Sequence, residues 1–162
     1  MNYWIKHFPY NKPRDAQEKI ISKVLEEFKN GKKYAIIDCG TGVGKSAIGL
    51  TIASYMNKSS DYEGMYETGS YFLTTQKVLQ EQYEKDFQNK GMISLYSSSN
   101  YCCSKDGKAS CKDIQTGLRA NSLPKKYENC KYNCVYKIKK KDFIEQDKGI
   151  TNFSYFLTEK NY

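Results

Sequence analysis

One segment constrains the fold more than any other: Cys39-Gly40-Thr41-Gly42-Val43-Gly44-Lys45-Ser46. Before it runs Tyr34-Ala35-Ile36-Ile37-Asp38, short, apolar and partly β-branched, which reads as a buried strand. After it, residues from Lys45 to about Asn57 read as a helix. Strand, Gly-rich loop and helix in this order make a phosphate-binding loop. The glycines let backbone N–H groups converge on phosphate oxygens. The helix then turns its positive end toward the same anion. In such a loop Gly40, Thr41, Gly42, Val43 and Gly44 form the cradle. Lys45 is expected to reach the β- and γ-phosphates of ATP, and the Ser46 hydroxyl to ligate Mg²⁺. Cys39 stands at the first motif position, where Gly is usual, and reads as a small filler. The bland alternative is a Gly-rich turn before a helix with a surface lysine. The register of all the parts argues against it.

The flanking sequence reads as alternating helix and strand. Asp15, with Glu18 three residues on and Pro13 just before, is a helix-start signal. Ile20, Ile21, Val24, Leu25 and Phe28 follow at helical spacing, and Asn30-Gly31 ends the run. Residues 57–70 read as a polar loop. Tyr71 to Thr75 reads as a second strand, Gln76 to Gln88 as a helix, and Met92 to Tyr96 as a third strand. This alternation predicts an α/β fold with a parallel sheet. No internal repeat is present.

Charge separates a second region from the first. The chain of 162 residues carries 26 Lys+Arg and 18 Asp+Glu, a net +8. Between Cys102 and Lys141 there are eleven basic and three acidic residues, so this segment holds the whole net charge. It also holds five of the six cysteines: Cys102, Cys103, Cys111, Cys130 and Cys134. No secretory signal is expected at the start and no membrane-spanning run is present, so the expectation is a cytoplasmic chain with reduced thiols. Such thiols point to a metal. From Cys103 onward the spacings are seven, eighteen and three intervening residues. Only the last suits a zinc knuckle; four thiolates at irregular spacing also suit a [4Fe–4S] cluster. Cys130 and Cys134, four apart, could share a helix face. The lysines, interleaved with Tyr101, Tyr127, Tyr132 and Tyr136, suit the phosphates and stacked bases of single-stranded nucleic acid. A solvated basic face is the plainer reading of the same charges. A lone histidine argues against a Ser-His-Asp triad.

Taken together, these pieces resemble the N-terminal part of the iron–sulfur superfamily 2 helicases of the DinG/XPD type. Phe8-Pro9-Tyr10 with Pro13-Arg14-Asp15-Ala16-Gln17 resembles the family's Q motif. The resemblance implies that Arg14 and Gln17 help recognise adenine. Residues 39–46 resemble helicase motif I, with Lys45 as the catalytic lysine. Residues 71–82 are similar to motif Ia, which implies DNA contact by Thr74, Thr75 and Gln76. Asn100-Tyr101-Cys102-Cys103 resembles the entry to the cluster domain, and Cys134-Val135-Tyr136 the surroundings of its last ligand. In that register Cys103, Cys111, Cys130 and Cys134 are the ligands and Cys102 is spare. Residues 150–157 resemble the segment that returns to the ATP-binding domain. The implied organisation is an ATP-binding part over 1–98, a four-cysteine domain over 99–142 and a return segment over 143–162. The implied fold is a partial P-loop, RecA-like parallel sheet with an inserted Cys-rich iron–sulfur domain. Arg119 and the lysines would track DNA phosphates, on a single strand or at a fork.

The family's Asp-Glu-Ala-His motif is not found within these residues, nor are the motifs of a second motor domain. The expectation is therefore ATP binding and DNA contact by this chain, with hydrolysis and unwinding belonging to a full-length enzyme or needing a partner chain. The rival from another class is a non-catalytic, zinc-stabilised nucleic-acid-binding module. A small-molecule kinase would need an Arg-rich lid, and the chain has only Arg14 and Arg119.

Overall fold

The structure, a computed structural model, describes residues 2–57, 69–103, 107–120, 122–123, 127 and 134–158. Cys130 lies outside the described residues, as do Lys105, Lys125, Lys126, Lys131 and Tyr132 of the basic segment and most of the 57–70 loop. The chain divides into two compact units, residues 1–70 and 71–162.

The first unit is built from two helices, α1 (Asp15–Lys29) and α2 (Lys45–Met56), and a 3₁₀ turn over Ile5–His7. Helix α1 buries Gln17, Ile21, Val24 and Leu25, the stripe its 3.6-residue period requires. Ile21 and Leu25 meet Ala47 and Ile48 of α2, and the 3₁₀ turn brings in Trp4 and Phe8 to close this core. The Trp4 indole N–H donates to Ser22 Oγ at 3.1 Å, so its polar edge is satisfied inside the core.

Two expectations are corrected here. The helix start is one residue early: Arg14 is the N-cap, and its backbone N–H donates to Gln17 Oε1 at 2.9 Å. The expected pair Asp15 and Glu18 does not cap; Glu18 accepts a hydrogen bond from Asn2 Nδ2 instead. The second correction concerns the strand before the glycine loop. Residues 34–38 form no strand, and Tyr34 and Ile36 are 88% and 98% exposed. A strand exists only as part of a ladder. The first unit supplies helices and turns among its described residues, so this segment has no neighbour there to pair with.

The second unit is a small parallel three-stranded sheet flanked by helices, which gives the chain its α/β class. The strands are β1 (Ser70–Thr74), β2 (Met92–Leu95) and β3 (Lys148–Asn152), in the order β1-β3-β2. Strands β2 and β3 run parallel, with Met92 opposite Lys148 and Leu95 opposite Thr151. The central strand β3 is buried from Lys148 to Thr151. The helices are α3 (Lys77–Phe87), α4 (Cys111–Arg119), α5 (Val135–Glu145) and the single turn α6 (Phe153–Phe156). Gln80 pins α3 to the sheet: its buried amide donates to Ser94 Oγ at 2.8 Å and Leu95 O at 2.9 Å. Thr151 Oγ1 donates to the same carbonyl at 2.7 Å. Helix α4 opens on a capping box in which Ser110 and Asp113 exchange side-chain and backbone bonds. Among the described residues no helix is long and apolar enough to cross a membrane.

Candidate phosphate loop, thiol pair and sheet-end surface

Gly42 and Gly44 both adopt positive φ, +80° and +86°. This conformation bends the loop into the N-terminus of α2, where Gly44 is the N-cap. The first turn of α2 carries no carboxylate, so nothing there competes with an anion. The Lys45 ammonium folds back over the loop and donates to the carbonyls of Cys39 and Gly40, the latter at 3.0 Å. Lys45 is exposed, Ser46 and Cys39 are half-buried, and Gly40, Thr41 and Gly42 are open to solvent.

Helix α1 holds this loop from below. Gln17 is buried, and its Nε2 donates to Val43 O at 2.9 Å while Oε1 takes the Arg14 N–H. Arg14 Nη1 donates to Gly42 O at 2.6 Å. Both residues singled out as adenine readers therefore grip the glycine loop itself. A β-carbon at Gly44 would come within 2.5 Å of Gln17 Nε2, so the contact is as close as glycine permits.

In the second unit the carboxyl ends of the parallel strands share one edge, the usual ligand edge of such sheets. Thr74 ends β1 and its hydroxyl accepts the Gln76 N–H at 3.2 Å. Gln76 is the N-cap of α3, and Thr75 O accepts from Asn152 Nδ2 at 3.2 Å at the end of β3. Thr75 and Gln76 are exposed. Arg119 is exposed in the last turn of α4.

The buried cysteines of the second unit lie in two separate places. Cys111 and Cys134 are buried with sulfurs 3.2 Å apart, beside Leu95, Tyr136 and Phe143. Cys103 is buried separately with Ile114 and Tyr127, and Cys102 is exposed. Cys134 does not lie on a helix face; it is the N-cap of α5. Burial works to raise its thiol pKa, but the Cys111 thiol and the N–H groups of Lys137 and Tyr136 outweigh this and hold it below the ordinary value. Burial pushes the Tyr136 and Tyr101 phenols up, as it does Tyr96, which reaches about 12 with help from its bond to Glu84. Among the described residues no three His, Cys, Asp or Glu side chains converge on one metal position.

Sequence reasoning did not find the Gln17–Val43 tie, because it joins residues 26 positions apart. Nor did it separate Cys103 from the Cys111–Cys134 pair, since spacing counts thiols and not distances.

A family model described as the type III restriction enzyme, res subunit, matches residues 10–158 of the chain. No curated protein and no solved structure matches it.

Proposed function

The chain belongs to the family of the type III restriction enzyme res subunit, a superfamily 2 helicase-type domain, and from that premise we propose that it is the ATP-binding, DNA-contacting first part of a DinG/XPD-like helicase. The observation that carries the reading is the loop itself. Positive-φ glycines, a carboxylate-free helix start and a lysine folded over the loop carbonyls together build a phosphate cradle. On this reading Lys45 leaves those carbonyls for the β- and γ-phosphates. Ser46, a hard oxygen donor, would hold Mg²⁺, which neutralises phosphate charge when bound. Arg14 and Gln17 set the loop's shape, and the resemblance makes them the pair that helps recognise adenine. Thr74, Thr75, Gln76 and Arg119 contact a single DNA strand or a fork. Hydrolysis coupled to unwinding belongs to the full-length enzyme, with the remaining motifs downstream or on a separate chain.

We assign residues 1–98 and 143–162 to the ATP-binding domain and 99–142 to a metal-holding insertion with Cys103, Cys111, Cys130 and Cys134 as ligands; of these Cys111 and Cys134 already lie together, whereas Cys103, packed with Ile114 and Tyr127, would have to leave that contact to join them. The resemblance favours a [4Fe–4S] cluster. The sulfur separation favours a second reading, a single zinc. Two thiolates on one tetrahedral ion, with bonds of about 2.3 Å, lie about 3.8 Å apart, so the Cys111 and Cys134 sulfurs, now 3.2 Å apart in a thiol–thiol contact, would separate slightly to share one ion. Ligands of a cubane bind separate irons.

Calorimetry with Mg-ATP tests the central reading. The native chain should bind, and Lys45→Ala should lose at least about tenfold in affinity, a charge-assisted contact of ~1.4 kcal/mol or more. Equal affinity would sink the assignment. Single-stranded DNA affinity should fall steeply with salt as lysines release counterions, and iron, sulfide and zinc analysis decides between the two metal readings.

A further inference from the structure

The second unit contains a cavity of about 200 Å³ that the functional reading does not use. Buried Leu95 and Thr151, paired across β2 and β3, line its inner end. Its walls are aromatic. The Tyr71 ring lies 5.3 Å from Phe143 and 5.5 Å from Phe156, centroid to centroid. At the mouth stand Ile144, 58% exposed, and half-buried Lys140.

Three properties define what fits. The volume is below the ~300 Å³ at which sites begin to take drug-sized molecules, so it suits one ring system. Two lining hydroxyls are engaged: that of Thr151 bonds Leu95 O, and that of Tyr155 bonds the Tyr136 hydroxyl. Recognition then rests chiefly on ring faces. Lastly, the mouth is positive. Lys140 lines the cavity with Phe143 and Ile144, its i+3 and i+4 neighbours, and Lys137 stands one turn before it on the same stripe. Lys139 and Lys141 add further charge on the helix, Lys141 beside Glu145 at 3.7 Å, so its four lysines outnumber its two acids, Asp142 and Glu145.

We propose that this cavity receives one unstacked base of single-stranded DNA, while Lys140 and Lys137 hold the flanking phosphates. The proposal rests on the reading that the chain contacts DNA, and it adds a base-binding site whose lining does not include Thr75 or Gln76. Because every base has a π-face, the site tolerates any sequence.

The test compares a thymidine hexamer with its wholly abasic counterpart, by fluorescence anisotropy on the full chain at low salt. The native protein should bind the thymidine hexamer about tenfold more tightly or better, the loss of a stacked base. In Ile144→Trp, at an exposed position, the indole would fill the mouth. It should weaken thymidine binding about tenfold and leave abasic binding unchanged, with an unaltered far-ultraviolet dichroism spectrum. Lys140→Ala should weaken both. If Ile144→Trp leaves thymidine binding unchanged, or weakens both oligonucleotides equally, the base site is overturned while DNA binding stands. If neither oligonucleotide binds the native chain, DNA contact itself fails and the site with it.

Discussion

Gln17→Ala should unfold the first unit more easily and disorder its glycine loop. Gln17 is 4% exposed and makes two bonds of 2.9 Å, one to the Arg14 N–H and one to Val43 O. Each is worth about 1 kcal/mol net, and the first doubles as the cap of α1. The expected loss is therefore about 2 kcal/mol, somewhat more if Val43 O is left without a partner. Trp4 is the chain's only tryptophan and is 1% exposed in the core of the same unit. Its fluorescence in a urea titration thus reports this unit. With a slope of roughly 1.3 kcal/mol/M, the midpoint should drop by about 1.5 M at unchanged slope. Mg-ATP affinity should fall in parallel, because the loop loses its support. Gln17→Glu separates the two bonds. It keeps an acceptor for Arg14 N–H but sets a carboxylate oxygen against the Val43 carbonyl, so it should be worse at neutral pH than in mild acid, where protonation restores a donor. If Gln17 did nothing but read adenine, Gln17→Ala would leave the urea midpoint in place and lower ATP affinity relative to GTP alone. That result would refute the reasoning.

Three further outcomes are expected. Gly44→Ala forces a β-carbon to 2.5 Å from Gln17 Nε2 at φ +86° and should cost ~2–3 kcal/mol by Trp4 fluorescence, whereas Gly42→Ala, with φ +80° but open space around the site, should cost only ~1 kcal/mol. Gln80→Leu removes the buried bonds to Ser94 and Leu95 and should destabilise the second unit by about 2 kcal/mol, read by far-ultraviolet dichroism on thermal unfolding. Tyr96, pushed up to about 12, should stay protonated in an ultraviolet difference titration at pH ~10, the ordinary tyrosine value. Since the folded state holds this proton more tightly than the unfolded one, the contribution of Tyr96 to stability is complete below pH ~10 and is lost as pH rises toward 12. A Tyr96→Phe protein should lack that component.

What could be read from sequence was what neighbours decide. Helices α1 and α3 appear where their apolar spacing puts them, α2 where the glycine loop leads into a helix, and strands β1 and β2 where short apolar runs stand, each within a residue or two. The glycine loop was legible for the same reason. The family match agrees with the helicase-type reading at the level of the superfamily. The cap of α1 was misplaced by one residue because Gln17 is positioned by Val43, a contact no local pattern contains.

Strand β3 shows the limit from the other side. Lys148-Gly149-Ile150-Thr151-Asn152 has no alternation and includes a glycine, a poor strand former. Yet it is the central strand, buried on both faces, where alternation is not expected. Gly149 is needed there because a β-carbon would fall 2.5 Å from the Phe143 ring. Residues 34–38 are the converse: a sequence with strand character and no ladder. Local composition sets how well a segment tolerates the extended state, but the ladder's hydrogen bonds come from other segments, and β3 has two neighbours while 34–38 has none among the described residues of its unit. Strand propensity is therefore a statement about fit to a neighbour. The phosphate loop does not depend on that ladder for its shape: Gln17 and Arg14 hold Val43 and Gly42 from α1, so the loop keeps its geometry beside an unpaired segment.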